Sequence, residues 1–369
     1  MPIELVKLAG SRDLSRFIKV PGLLRRNDPF WAHPLTFERK IFLDPLKNPF
    51  FETADVEFYM ALADGKPAGR IALIEDKAYN EFHNERIGFF GMFECVENYK
   101  IAELLLDKAH SWSRERKFDS LRGPMNLSTN HECGLLVEGF DSEPTFGMPY
   151  NPAFYKDFFE RWGLLKAKDL LSFKLKLDQI PEYLSRAANK VRRRNRFKLR
   201  RLEISRFESE VQIIWEIYNS AWSRNWGFTP MSESEFRFAA KEMKKIVNPR
   251  YCFIAEIDGQ PAGFSLTIPD INQALKPVKG NLLPFGWLKF LYRMRRIDFW
   301  RVLTLGVKKE YQRMGIDVLM YHDTFQEFLD NKVPYCEMSW ILEDNEPMLM
   351  PLHRLGGYVY KRHRIYEIT

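Results

Sequence analysis

The chain has 369 residues, 45% hydrophobic and 15% aromatic, which is too long for one core and too apolar for a disordered chain, so two domains are expected. A net charge of +7 suits an acidic ligand, nucleic acid or an anionic membrane surface without choosing among them. Cys95, Cys133, Cys252 and Cys336 form no CxxC pair, the seven histidines are dispersed, and MPIELVKLAG lacks a signal-peptide core. With no uninterrupted apolar run of about 18 residues, the expectation is a cytoplasmic protein without a disulfide frame, zinc site or membrane span.

In chain order, IELVKL (3–8) is a short strand followed by a helical pattern that runs into FWAHPL (30–35). EFYMALADGKPAGRIALI (57–74) is a strand, an Asp-Gly turn and a second strand, which is hairpin chemistry. An apolar strand, GFFGMFECV (88–96), and a helix, IAELLLDKAHSWSRERK (101–117), come next. After the strand SLRGPM comes a polar cluster, NLSTNHE, holding Asn126, Asn130, His131 and Glu132. Such a cluster either lines a cleft or is a long turn capped by its own Asn side chains; in the first case His131 and Glu132 are candidates for an acceptor-side base. An Asn-led helix ending in glycine (151–163) closes this half.

The second half repeats the order. Its hairpin, CFIAEIDGQPAGFSLTI (252–268), places Gly263 at an offset of 194 residues from Gly69 (263 − 69). KLRRLE (198–203) answers IELVKL, WGFTPM (226–231) answers FWAHPL, and a second Asn-led helix (345–357) closes the chain. The pattern is a tandem duplication, divided as 1–178 and 179–369. Near the boundary lies a basic run, KVRRRNRFKLRR (190–201), which fits a solvated face, a nucleic-acid contact or a phosphate clamp. The second half also carries additional sequence between hairpin and next strand, including LLPFGWLKFLYRMRRIDFW. Leu283, Trp287, Phe290, Leu291 and Met294 share a helical face there, while Lys289, Arg293 and Arg296 fall largely elsewhere. That amphipathic segment suits packing on its own domain, a dimer contact, a cover for a long acyl chain, or peripheral membrane contact through 282–298.

The stretch 301–320, RVLTLGVKKEYQRMGIDVLM, is the most informative. Residues 302–307 are a buried strand by composition, 308–315 a basic loop ending in glycine, and Ile316, Leu319, Met320 and Phe325 begin a helical stripe. Strand, basic loop and helix N-terminus together hold an anion, because the first-turn N–H groups are free and the helix dipole favours negative charge. An ordinary strand–turn–helix connection has the same pattern.

These elements together resemble the GNAT superfamily of N-acyltransferases, and the whole chain is similar to tandem GNAT-like bacterial proteins. The family's loop, Q/R-x-x-G-x-G/A, has its counterpart in Gln312, Arg313, Met314, Gly315, Ile316 and Asp317; its closing helix has one in Asn345, Met348 and 353–358. The resemblance implies an α/β fold (mixed α+β sheet) of two tandem GNAT-like domains. It implies acetyl-CoA or a longer acyl-CoA as donor, an amine as acceptor, and no metal. Leu305, Gly306 and Val307 would hold the thioester and pantetheine arm. The pyrophosphate would lie on residues 312–318, and Asn345, which opens the closing helix, would be a further coenzyme-binding residue. Asp317 departs from the family's Gly or Ala: either its carboxylate turns away to cap the helix it opens, or it stands where phosphate should sit and weakens the coenzyme reading. The family's acidic tyrosine falls on Leu352, so no acid is carried over; Glu337, Glu343 and Asp344 are the candidate bases on and after CEMSWIL. The first half lacks the loop and has Glu94 and Glu97 there instead, which makes it a scaffold or acceptor-side wall. The expected function is acyl transfer from acyl-CoA to an amine, with a lipid-like amine favoured by 282–298. The alternatives are an aminoacyl-tRNA-dependent transferase and a binding protein with a decayed site; nucleic acid is the weaker partner, and the oligomeric state is left open.

Overall fold

The computed structural model describes residues 2–194 and 196–369; Asn195, within the basic run, lies outside the described residues. The chain forms two compact units, the first from Met1–Leu170, Asn272–Met294 and Lys361–Thr369, the second from Leu171–Ile271 and Arg295–Tyr360.

The first part of the chain contributes β1 (Ile3–Leu8), α1 (Gly10–Leu24), α2 (Thr36–Phe42), β2 (Ala54–Ala63), β3 (Lys66–Asp76) and α3 (Lys77–His83). It continues with β4 (Ile87–Cys95), α4 (Tyr99–Glu115), β5 (Ser120–Gly123), β6 (Leu135–Glu138), α5 (Phe154–Trp162) and β7 (Leu165–Lys176). Then come α6 (Glu182–Arg192), β8 (Phe197–Arg201), α7 (Phe207–Ala221), α8 (Glu233–Met243), β9 (Cys252–Ile257) and β10 (Gln260–Pro269). The inserted arm is α9 (Asn272–Leu275) and α10 (Gly286–Met294), and the chain ends with β11 (Phe299–Val307), α11 (Ile316–Asp330), β12 (Tyr335–Leu342), α12 (Glu346–Arg354) and β13 (Tyr358–Ile368).

In the first unit the strand order is β1-β2-β3-β4-β5, continued by the end of β13. β1 to β4 are antiparallel neighbours, β4 and β5 are parallel, and Ile368 of β13 faces Leu121 of β5. The core lies against α4, where Ile101, Leu105, Leu106, Ala109 and Trp112 meet Ile71, Leu73 and Phe90 of the sheet. The second unit has the same order, β8-β9-β10-β11-β12, continued by β7. Its core gathers Tyr321, Phe325 and Phe328 of α11 with Trp300 and Val302 of β11 and Cys336 and Met338 of β12.

The repeat seen in the sequence is therefore a repeat of fold. Both Asp-Gly turns form as expected: Asp64 and Gly65, and Asp258 and Gly259, all have positive φ, the backbone of a two-residue hairpin turn matched to strand twist. The compact units do not coincide with the linear halves. The first unit takes its sixth strand from the far end of the chain, residues 361–369, the second takes its own from 171–176, ahead of residue 179, and the arm 272–294 packs in the first unit.

Candidate active site

In the second unit β11 and β12 are parallel only from Phe299↔Tyr335 to Val302↔Met338. Beyond that pair they part, and the β10–β11 register shifts between Leu266 and Thr267 so that Leu303 is bulged out. Leu305, Gly306 and Val307 lie on the parted stretch. The hydroxyl of Thr304, on the same stretch, is buried without a hydrogen-bond partner among the described residues. Gly306 has no side chain because Trp222 lies over it: a Cβ there would be 2.2 Å from the indole ring.

The loop that follows turns through Arg313 (φ 64°) and Gly315 (φ 90°) into α11. Gly315 is the residue before the first helical turn and supplies no cap, so the α11 N-terminus carries no side-chain hydrogen bond. Gln312 Nε2 folds back 3.4 Å from the Val307 carbonyl. Asp317 does not cap; among the described residues it makes no hydrogen bond or ion pair. Ile316 is buried, while Met314, Asp317 and Val318 are half-buried. The last turn of α6 abuts this point: Val191 packs with Leu319, and its Cγ2 would be 2.7 Å from a Cβ on Gly315. The basic run is thereby brought beside the loop. Arg192, Arg196, Arg200 and Arg201 are ion-paired to Asp323, Asp258, Glu210 with Glu256, and Glu327. Lys190, Arg193, Arg194, Lys308, Lys309 and Arg313 have no acidic partner among the described residues. A helix N-terminus without a side-chain cap, preceded by a basic loop, suits a phosphate, and the Asp317 carboxylate in its first turn opposes one.

The first unit has the same opening and closes it with its own chain. β4 and β5 pair only over Ile87–Phe89 (87–89). Met125 N–H then donates to the Phe90 carbonyl (2.8 Å), Met92 N–H to Asn126 Oδ1 (2.7 Å), and Cys95 N–H to the Tyr155 hydroxyl (2.7 Å). Gly91 is required there, since a Cβ would be 1.7 Å from the Met125 carbonyl oxygen. The α4 N-terminus is capped by Asn98, whose Oδ1 accepts from Lys100 N–H at 3.1 Å. Glu94 is buried against Arg25 (2.6 Å), with the Tyr155 hydroxyl donating at 3.0 Å, whereas Glu97 is exposed.

The candidate bases are distributed unevenly. Glu337 is fully buried on β12, one residue before the strands part, and faces Arg301 of β11 in register. Its carboxylate accepts from the Ser339 and Tyr360 hydroxyls and lies 3.8 Å from the Arg301 guanidinium, which itself donates to Ser339 Oγ at 2.9 Å. Burial, then the charge of Glu337, pushes the Tyr360 hydroxyl well above its ordinary value, so it remains a donor. Tyr360, Arg301 and Ser339 were not anticipated. The signal was an arginine inside an apolar strand, which demands a buried partner. Glu343 and Asp344 form the turn after β12, and Asn345 follows half-buried at the start of α12. Leu352 is buried, and exposed His353 packs its ring 5.1 Å from that of Phe173.

In the first unit Glu132 is ion-paired to Arg39 (2.7 Å) and accepts from Asn126, and His131 Nδ1 is 3.0 Å from Ser128 Oγ between the rings of Phe42 and Phe50. Burial would raise the Glu132 carboxyl, but Arg39, Asn126 and His131 together bring it below its usual range. The His131 imidazole is pushed down to about 4 by burial, with Glu132 opposing and Arg39 adding. Its folded-state value lies below the ordinary 6.5, so the unfolded chain takes up the proton first. Stability is fully present above about pH 6.5 and is lost as pH falls toward 4, by at most about 3 kcal/mol. Melting curves from pH 7 to 4 are expected to show this decline, and His131→Asn is expected to flatten it.

No family model matches the chain. It is 36% identical over 375 aligned positions to the bacterial ceramide synthase of Caulobacter vibrioides (strain NA1000 / CB15N), covering 99% of this chain and 97% of that protein. It is 35% identical over 363 positions to protein YghO of Escherichia coli (strain K12), covering 96% and 92%. Among solved structures it is similar to a tandem GNAT protein from the clavulanic acid biosynthesis pathway, with a TM-score of 0.57 at 14% identity over 100% of this chain and 98% of that one. At that identity the likeness is one of fold, and it bears out the tandem GNAT architecture expected from the sequence.

Proposed function

Since this chain belongs to the family that includes the bacterial ceramide synthase of Caulobacter vibrioides and YghO of Escherichia coli, we propose that it is an N-acyltransferase moving an acyl group from acyl-CoA to a lipid-like amine. The observation that carries the donor is the contrast between two equivalent helix starts. α4 is capped by Asn98, whereas α11 begins at Gly315 without a side-chain cap, directly after a loop that carries Lys308, Lys309 and Arg313. The coenzyme pyrophosphate would lie on 312–318 and the pantetheine arm along Leu305, Gly306 and Val307, where β11 has left β12. The acceptor class is supported by the name of the first relative, because a ceramide is an N-acylated long-chain amine. Peripheral association with the inner membrane face belongs to the same reading, as both substrates would carry long chains.

The amine lone pair attacks the thioester carbonyl, the carbon–oxygen double bond opens to an oxyanion, and on collapse the carbon–sulfur bond breaks to release coenzyme A thiolate. The protein's work is to align the partners, take the amine proton and supply one to sulfur. Glu337, at the point where the strands part, is the base we assign, with the Tyr360 hydroxyl as its outward contact. Glu343 and Asp344 are the next candidates on the same strand end. His131 and Glu132, paired with Ser128, Arg39 and Asn126, are the candidate bases of the first unit.

Thermal stabilisation separates the readings. Coenzyme A and a long-chain acyl-CoA are expected to raise the melting temperature, and the protein is expected to convert a long-chain amino alcohol to its amide. Stabilisation by tRNA alone would replace this proposal with an aminoacyl-tRNA-dependent transferase. No stabilisation and no product would leave a binding protein in which Asp317 marks a decayed loop.

A further inference from the structure

The inserted arm is fixed at its base and bare at its tip. Lys276 is ion-paired to Glu143, Asn272 Nδ2 donates to the Pro144 carbonyl (2.9 Å), and Thr36 N–H donates to the Gly280 carbonyl (3.2 Å). No residue of α10 is fully buried. Leu283 is 81% exposed and Phe285 69%, and Trp287, Leu288, Leu291 and Tyr292 are exposed with them. At about 100° per residue, half-buried Phe290 and Met294 mark the packed edge of α10. Trp287, Leu291, Leu288 and Tyr292 follow around the helix as an apolar arc, and Lys289 and Arg293 follow that as a basic stripe. Lys289, Arg293 and, just beyond the helix, Arg295 have no acidic partner among the described residues. An arc of this size in water marks an interaction surface.

We propose that residues 283–295 dock on a bilayer containing anionic lipid, with the apolar arc among the acyl chains and Lys289, Arg293 and Arg295 at the headgroup phosphates. The charge pattern chooses the occupant. A second copy packed arc to arc offers these stripes no acid from its own arm, since residues 271–297 contain none, whereas anionic headgroups neutralise them. The segment lies on the membrane, since among the described residues no helix is long and apolar enough to cross one. The inference rests on the proposed lipid acceptor for its purpose, and on the exposed arm for its evidence.

Flotation of the full-length protein tests it. The protein is expected to float with vesicles of phosphatidylcholine containing about one-third phosphatidylglycerol, and far less with phosphatidylcholine alone. Each basic side chain contributes about five-fold to partitioning, so Lys289→Glu with Arg293→Glu and Arg295→Glu is expected to lower it at least about 100-fold. Leu283→Ser with Phe285→Ser, Leu288→Ser and Leu291→Ser is expected to abolish flotation; both variants change exposed positions and should melt like the parent. Flotation unchanged in both variants, or absent in the parent, overturns the proposal. So does loss of a dimer in the serine variant without any vesicle binding, which makes the arc an interface between copies. Acyl transfer in detergent micelles is read in parallel. Flotation without transfer sinks the enzyme assignment and keeps the surface, whereas transfer without flotation does the reverse.

Discussion

Gly315→Tyr is expected to abolish stabilisation by coenzyme A and to lower kcat/KM for acyl-CoA at least about 100-fold, about 2.7 kcal/mol of transition-state stabilisation. Two features of this position act together. Its φ of 90° is left-handed, which costs an L-residue about 1–2 kcal/mol, and a Cβ would come within 2.7 Å of Val191 Cγ2. The side chain must then push the end of α6 aside or cover the N–H groups of the first α11 turn, and either outcome removes the anion site. Stability should fall modestly, because the neighbour is a side chain rather than backbone. Asn98→Ala in the first unit is the matched control. It removes the α4 cap, should cost about 1 kcal/mol of stability, and should leave coenzyme binding untouched. A Gly315→Tyr protein that binds coenzyme A as the parent does would end the assignment of this loop.

What the sequence made legible here follows from locality. Residues 312–315 mark a loop because their neighbours are a β-branched strand and a helical stripe within a few positions. The Asp-Gly turns are equally local, and both form. The placing of the last strand is different: nothing near residues 361–369 says that they pair beside Leu121 rather than beside Met338. The arm shows the same limit. Its amphipathic pattern around Trp287 and Leu291 is evident, but periodicity gives a helix an apolar side without saying what covers it, and among the described residues that side is left about half exposed. Glu94 looked misplaced in a loop expected to be basic. Its partners Arg25 and Tyr155 are 69 and 61 residues away, so only the folded chain shows that the acid neutralises a buried arginine. The closure of the first opening by Asn126, whose Oδ1 accepts from Met92 N–H 34 residues away, is likewise non-local.

Glu337→Gln and Tyr360→Phe are expected to separate a proton route from a structural ion pair. Glu337 and Arg301 are both buried, so exchanging the carboxylate for an amide leaves the guanidinium uncompensated, a loss of about 3–5 kcal/mol. That variant should melt several degrees lower, and its activity alone decides nothing. Tyr360→Phe keeps the charges and removes one donor to the carboxylate, costing about 1.5–3 kcal/mol. If the hydroxyl relays the amine proton to Glu337, kcat falls about 100-fold or more at temperatures where the variant is fully folded, while KM for acyl-CoA hardly moves. If the pair only braces β12 against β13, kcat is retained and the melting temperature alone drops. An alkaline signature accompanies either case. Tyr360 has a folded-state value raised above the ordinary 10 by burial and by Glu337, so its contribution to stability is complete below about pH 10 and is lost as pH rises further. Melting curves above pH 10 should therefore fall more steeply for the parent than for Tyr360→Phe, and curves that stay parallel would mean that the hydroxyl is not held by Glu337 in solution.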